Sequence, residues 1–349
     1  MTNTKPTQGL RPTKPFELIS QHSMQERRIS YADAILEATD QAMSISSDVI
    51  VLGQLSDLPS GMFGTTAGLV EKYGHHRVHD FPVAENLMTA VALGTALTGH
   101  RPLIVHHRLD FMMYSIDVII NWLSLWYFKS NGKSNVPVTI RTIVGKSWGQ
   151  GPQHSKSLHS WFAHLRGLRV AVPATAFDAK GLLMESLLGA TPTIIVEGRN
   201  LFSMTDHVPE EPYRIPFGRA LVRRSGEDLT LVAIGTMVPL ALRAAELAQA
   251  EGISVEVIDP RTLTPLDQET ISGSVSKTGR LVVADPGWRS FGAAGEIVTV
   301  VAETVGNKLK SNPTRVTHPD SHTPMSMTLE SKFYPDETNI YKAIRASVR

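Results

Sequence analysis

Cysteine is absent from this 349-residue chain, which excludes disulfides and thiolate metal sites. A chain without thiols fits a reducing compartment, and a cytoplasmic location is the resulting expectation. Charge imbalance is missing too: 34 Lys and Arg oppose 33 Asp and Glu, a formal net charge of +1. Such a balance draws the chain neither to nucleic acid nor to an anionic membrane, so neither is expected as a partner. No stretch approaches about eighteen consecutive apolar residues, so no membrane span is expected. The most apolar run, 116–128, is interrupted by Asp117, Asn121 and Ser124 and reads as a buried helix. Residues 1–28 lack the apolar core of a signal peptide and set Glu17 and Glu26 against five bases, which predicts a flexible arm.

What is present is an ordinary globular composition, 42% hydrophobic, over a length that exceeds a single core. Two domains are therefore expected. After Ser30, a plausible N-cap, the segment 31–43 carries Tyr31, Ile35, Ala38 and Ala42 on one helical stripe. Short β-branched strands at 48–53, 102–106, 136–144, 168–172 and 193–197 then alternate with helical segments, including 115–128 and 177–188. Continuous apolar strands separated by helices predict a parallel sheet covered on both faces. The proline-bearing stretch 203–216 breaks the pattern and reads as a linker. Beyond it, strands at 228–235, 253–258 and 280–284 alternate with helices at 238–250, 267–275 and 293–305, which predicts a second, smaller α/β unit.

Glu85 stands where an extended segment ending near Pro82 enters an apolar helix. Its simplest reading is electrostatic, because an acid in a first helical turn meets unpaired N–H groups and the positive end of the macrodipole. Phe111 by itself reads as a core aromatic, and His154, at the end of a glycine-bearing loop, as a solvent-facing histidine at a helix start. His75, His76 and His79 lie without a carboxylate cluster, so metal ligation is not expected. His106 and His107 alternate at a strand end, so only one of them faces a given side.

Five motifs nevertheless occur in order. They are Glu85 with its flanks, the run from Asp110 through Phe111 to Asp117, Gln153-His154-Ser155, the run from Asp178 to Leu182, and the run from Asp259 to Asp267. Together they make the chain, from about Ser30 to its C-terminus, resemble the beta subunit of the thiamine diphosphate-dependent, decarboxylating component of 2-oxoacid dehydrogenase complexes. The resemblance implies an α/β fold: a transketolase-like pyrimidine-binding domain with a parallel sheet at 29–202, then a linker at 203–216. A smaller transketolase C-terminal α/β domain follows at 217–349, behind the 1–28 arm.

By the same resemblance, Glu85 hydrogen-bonds the cofactor's aminopyrimidine nitrogen, and Phe111 offers its ring as a stacking surface. His154 lies near the reactive carbon, where an imidazole titrating near neutrality shuttles protons. His107 and Gln54 are implied beside the cofactor as departures. The family usually has an apolar residue at the position of His107, and an acid where Gln54 follows Gly53. A potassium-binding Arg-Asp turn is also missing, since 188–192 offers no carboxylate.

No Gly-Asp-Gly diphosphate motif occurs anywhere in the chain. The resemblance therefore implies a separate alpha subunit that holds Mg²⁺ and the diphosphate, in an alpha2-beta2 heterotetramer sharing thiamine diphosphate, with no metal on this chain. It also implies a lipoyl acceptor, with an acyltransferase core as a further partner. Two alternatives stay open: a stand-alone two-component acyloin-forming or ketol-transferring enzyme, and a non-catalytic assembly subunit that has kept the fold.

Overall fold

A computed structural model describes residues 27–146 and 149–349. The 1–28 arm thus falls outside the described residues except for its last two. Of these, Arg28 begins strand β1 (Arg28–Ser30), and the Ser30 hydroxyl caps the helix Tyr31–Ile45 by accepting from the Asp33 N–H.

The strands that follow are β2 (Val49–Gly53), β3 (Val78–Asp80), β4 (Arg101–His106), β5 (Thr139–Val144), β6 (Arg169–Ala171), β7 (Thr193–Gly198) and β8 (Thr205–His207). They continue with β9 (Leu221–Arg224), β10 (Leu229–Ala233), β11 (Val255–Asp259), β12 (Thr262–Thr264), β13 (Leu281–Trp288) and β14 (Thr314–His318). A seven-stranded sheet has the order β12-β6-β7-β5-β4-β2-β3, and a five-stranded sheet the order β14-β13-β10-β11-β9. Within these two sheets every pairing is parallel except the two edge pairings, β12 with β6 and β9 with β11.

Alternation along the strands explains why both faces of the larger sheet are covered. Ile50, Leu52 and Ile104 enter one apolar layer, whereas Val49, Val51, Leu103 and Val105 enter the opposite one. The first layer runs on into Val232, Ile258 and Val283 of the smaller sheet, so a single core joins the two units. A buried, two-bond ion pair between Arg141 of β5 and Glu197 of β7 ties neighbouring central strands.

One expectation is corrected. The segment 115–128 is not one regular helix. A helical run from Leu109 to Lys129 passes through a 3₁₀ turn at Met113–Ser115 and a π turn at Ile119–Leu123. There the Ser124 hydroxyl donates to the Ile120 carbonyl at 2.6 Å and competes with the regular ladder. By length and hydropathy alone this run is long and apolar enough to cross a membrane. It carries Asp110, Asp117 and Lys129, and its first half packs on the helix Glu85–Leu97.

The 203–216 stretch, for its part, is docked along its length. β8 pairs antiparallel with β1, the Lys180 ammonium donates to the Pro209 carbonyl at 2.6 Å, and Tyr213 stacks on Phe177 at 4.6 Å. The second unit also lends β12 to the edge of the first sheet.

Candidate functional site

Parallel strands end together, and the crevice beyond their carboxyl ends is the usual place for a ligand in such sheets. Three adjacent ends converge here. Gly53 closes β2 and delivers Gln54. His106 closes β4 and delivers His107. After β3 the chain turns directly into the helix Glu85–Leu97, whose first residue is the buried Glu85. The preceding residue, Ala84, offers no side-chain cap, so the carboxylate of Glu85 is the acid of that first turn.

The side chains meet. The Gln54 amide N–H donates to Glu85 Oε1 at 3.4 Å, and His107 Nε2 lies 2.5 Å from the Gln54 carbonyl oxygen. A carbonyl only accepts, so Nε2 carries the proton, and on the neutral ring Nδ1 is bare. That Nδ1 is buried without a partner. Burial pushes the His107 pKa down; the Gln54 carbonyl opposes this, and Arg141 and Arg108 add to the depression. His106 is fully buried, and burial pushes it down to about 3.

Arg108 links this group to a second one. Its guanidinium donates to the His107 carbonyl at 2.6 Å and to Gln150 Oε1 at 2.8 Å, while His154 Nδ1 lies 3.2 Å from the Gln150 carbonyl. Phe111, half-exposed, meets the His154 ring edge-on, with centroids 5.3 Å apart and planes at 83°. Thus Gln54, Glu85 and His107 are brought into contact, Phe111 pairs with His154, and Arg108 with Gln150 fastens one group to the other. No single sequence motif flags Arg108 or Gln150.

The His154 expectation needs a correction. His154 lies in a loop, and the helix begins only at His159. Its carbonyl accepts from the Gly145 N–H at 3.1 Å, so it is unavailable to start a helical ladder. Gly149 and Gly151 both have φ +67°. A Cβ at Gly149 would lie 2.8 Å from the Met325 carbonyl oxygen, and one at Gly151 would lie 2.5 Å from Met325 Cγ. Only glycine satisfies both demands. Glu330 adds to this grip by accepting the Gly149 N–H at 2.9 Å, so the C-terminal segment holds the loop that carries His154. Ser147 and Trp148 of this loop lie outside the described residues.

His159 is the first residue of the helix His159–Ala163. It is buried, and its Nε2 lies 2.9 Å from Oδ1 of the fully buried Asp285 in β13, which bridges the two units. The expected strand 280–284 stops one residue short of Asp285, whose part in β13 (Leu281–Trp288) shows only with its partner in place. Among the described residues, His75, His76 and His79 form no cluster that could hold a metal.

A family model described as the transketolase pyrimidine binding domain matches residues 27–204, and one described as the transketolase C-terminal domain matches residues 218–340. The beta subunit of acetoin:2,6-dichlorophenolindophenol oxidoreductase from Cupriavidus necator is 37% identical over 333 residues, covering 93% of this chain and 98% of that protein. The mitochondrial pyruvate dehydrogenase E1 component subunit beta-1 of Arabidopsis thaliana is 35% identical, covering 96% and 93%. A solved split-gene transketolase, an inactive beta4 tetramer, superposes with a TM-score of 0.73 at 23% identity, covering 92% of this chain and 98% of that one; it bears on the fold alone.

The chain belongs to the E1-type beta-subunit family. Within this beta subunit, the turn expected to lack a potassium site contains a cation of the chain's own. The Arg101 guanidinium donates to the Leu187 carbonyl at 3.4 Å and to the Gly189 carbonyl, at the C-terminal end of the helix Ala176–Leu188. Replacing Arg101 by Ala is expected to cost about 1–3 kcal/mol in urea unfolding. Exchanging sodium for potassium is expected to leave the wild-type midpoint unchanged, and a specific stabilisation by potassium would contradict this.

Proposed function

We propose that this chain is the beta subunit of a two-component thiamine diphosphate-dependent enzyme that decarboxylates a 2-oxoacid and passes the acyl group to a lipoyl acceptor. The observation that carries the reading is the meeting of Glu85, Gln54 and His107 at three adjacent strand ends, fastened through Arg108 and Gln150 to Phe111 and His154. A buried carboxylate, an orphaned imidazole nitrogen and a half-exposed aromatic face fit a flat, nitrogen-bearing ring.

When bound, thiamine diphosphate supplies a carbon nucleophile for the keto group and an electron sink for decarboxylation. Glu85 holds the proton shared with a pyrimidine nitrogen. Gln54 keeps that carboxylate in place, and the exposed Phe111 ring would offer the pyrimidine a stacking surface. His154, held by Gln150, moves a proton at the substrate oxygen. His107 sets a bare acceptor nitrogen in a dry wall of the site.

Magnesium and the diphosphate fall to an alpha subunit, in an alpha2-beta2 assembly. Exposed Tyr114, Tyr127, Phe128 and Trp161 support a partner, being large rings on the 109–129 run and the helix His159–Ala163. Co-purification with an alpha subunit, followed by a lipoyl-dependent acyl-transfer assay, tests the proposal. Tight thiamine diphosphate binding and turnover by the isolated chain would overturn it.

A second reading, chemistry on an acyloin, is favoured by the Cupriavidus necator relative and by a 35% identical one from Bacillus subtilis, both named acetoin:2,6-dichlorophenolindophenol oxidoreductase subunit beta. Dichlorophenolindophenol reduction with acetoin but not with pyruvate would select it.

A further inference from the structure

Gln54 and Leu55 share one peptide unit, and both of its ends are held. β2 lies between β3 and β4 in the larger sheet, with Gly53 opposite Asp80 on one side and opposite Val105 on the other. Just past these strand ends the Gln54 carbonyl accepts from His107 Nε2 at 2.5 Å, on the β4 side. The Leu55 N–H donates to Asp80 Oδ1, also at 2.5 Å, on the β3 side. A trans peptide points its C=O and N–H in opposite directions, so a single plane bridges the acid to the imidazole. The unit before it is fixed as well, because the Gly53 carbonyl accepts from the Phe81 N–H at 3.1 Å.

This orientation is not the one leucine prefers. Leu55 has φ +59°, a left-handed conformation that crowds its Cβ against the following carbonyl. A half-turn of the Gln54–Leu55 plane would return Leu55 to negative φ. Asp80 opposes that turn, since a carboxylate binds an N–H and repels a carbonyl oxygen put in its place.

The half-turn would reach the site. With the Leu55 N–H directed toward β4, His107 Nε2 would have to accept, and the ring proton would pass to Nδ1, which is now buried without a partner. Gln54, whose amide donates to Glu85 Oε1, would lose its backbone anchor at the same time. Five residues beyond Asp80 the chain delivers Glu85, so one acid ties the entry of that helix to the end of β2.

We propose that Asp80 is a positioning residue: by holding the Gln54–Leu55 peptide in its strained orientation, it sets the His107 ring as the Nε2–H tautomer with Nδ1 open as an acceptor. It acts through the peptide and not on reacting atoms. The tautomer follows from the geometry alone, whereas its effect on turnover rests on the thiamine diphosphate reading.

The test is nitrogen NMR of the full chain labelled with ¹⁵N-histidine, at about pH 8, where an imidazole of ordinary or lowered pKa is neutral. His107→Gln assigns the signals. Wild type should show a protonated Nε2 and a bare Nδ1 at His107, and Asp80→Ala should exchange them. Asp80 is exposed and enters this bond only through its side chain, so the variant keeps the β2–β3 pairing and should fold. Adding Leu55→Gly, which removes the cost of positive φ, should restore the wild-type tautomer to Asp80→Ala. In the enzyme assembled with its alpha subunit, Asp80→Ala should lower kcat about tenfold to a hundredfold with little change in KM, and the double variant should recover most of the loss. An Nε2–H tautomer that persists in Asp80→Ala would overturn the proposal. Exchanged nitrogens with undiminished turnover would uphold it and count instead against the place of His107 in the proposed chemistry.

Discussion

Replacing Glu85 by Gln is expected to lower the kcat of the assembled enzyme by about 10²–10⁴-fold, the range for loss of a positioned proton-transfer group. Folding and assembly should be nearly unaffected. Gln matches Glu in size, and the change removes only the acid of a first helical turn, worth about 0.3–1 kcal/mol. The structure makes the test sharp, because Glu85 is 9% exposed and, among the described residues, the side chain at hydrogen-bond range of its carboxylate is Gln54, which donates to Oε1. An amide at position 85 still accepts that bond but cannot hold an exchangeable proton against a ring nitrogen. The measurement pairs steady-state turnover, with the alpha subunit present, with a urea midpoint for the variant. Full activity in a normally folded Glu85→Gln enzyme would remove the proposed role and revive the assembly-subunit alternative.

The sheet was legible because its central strands are short, largely apolar runs buried on both faces. The runs at 48–53, 102–106 and 193–197 offered no competing period and lie in the structure as β2, β4 and β7. The short edge strands were not legible. β12 spans three residues of a proline-flanked turn, and its pairing with β6 joins positions about ninety apart in sequence. Local pattern carries no information about such a pairing. The 115–128 run misled for a related reason, since its apolar residues fit a helix but the Ser124 back-bond widening it is a single hydroxyl choice.

Of the candidate site, the resemblance named Glu85, Phe111, His107, His154 and Gln54, while the wiring between them was beyond reach. Arg108 and Gln150 are 42 residues apart, and neither belongs to a motif. The Gln54 substitution looked like a lost charge; in the structure its amide bonds Glu85 and its carbonyl fixes the His107 tautomer. Both effects need three strand ends in register, which only the folded sheet supplies.

Asp285→Ala is the second substitution with a large expected effect, a loss of about 3–5 kcal/mol in unfolding free energy, as for other buried pairs left half-made. The carboxylate accepts three N–H groups: His159 Nε2 at 2.9 Å, Gly287 at 2.8 Å and Ala294 at 2.9 Å. Alanine would leave all three buried and unpaired, one of them in the first turn of the helix Ala293–Val305. Because His159 belongs to the first unit and Asp285 to β13, the loss should appear as one weakened cooperative transition.

The pH dependence carries a sign. Burial alone would raise the Asp285 pKa, but His159 and the two backbone N–H groups outweigh it and hold the carboxyl below its ordinary value. A depressed folded-state pKa contributes stability that is fully present above the unfolded value of about 3.9 and is lost as pH falls through the folded one. Wild type should therefore lose stability more steeply than Asp285→Asn on acidification below about pH 4, and the two should run parallel near neutrality. Urea titrations across that range decide the matter: parallel curves throughout, or an Asp285→Ala cost under about 1 kcal/mol, would mean that the pair does not hold the two units together.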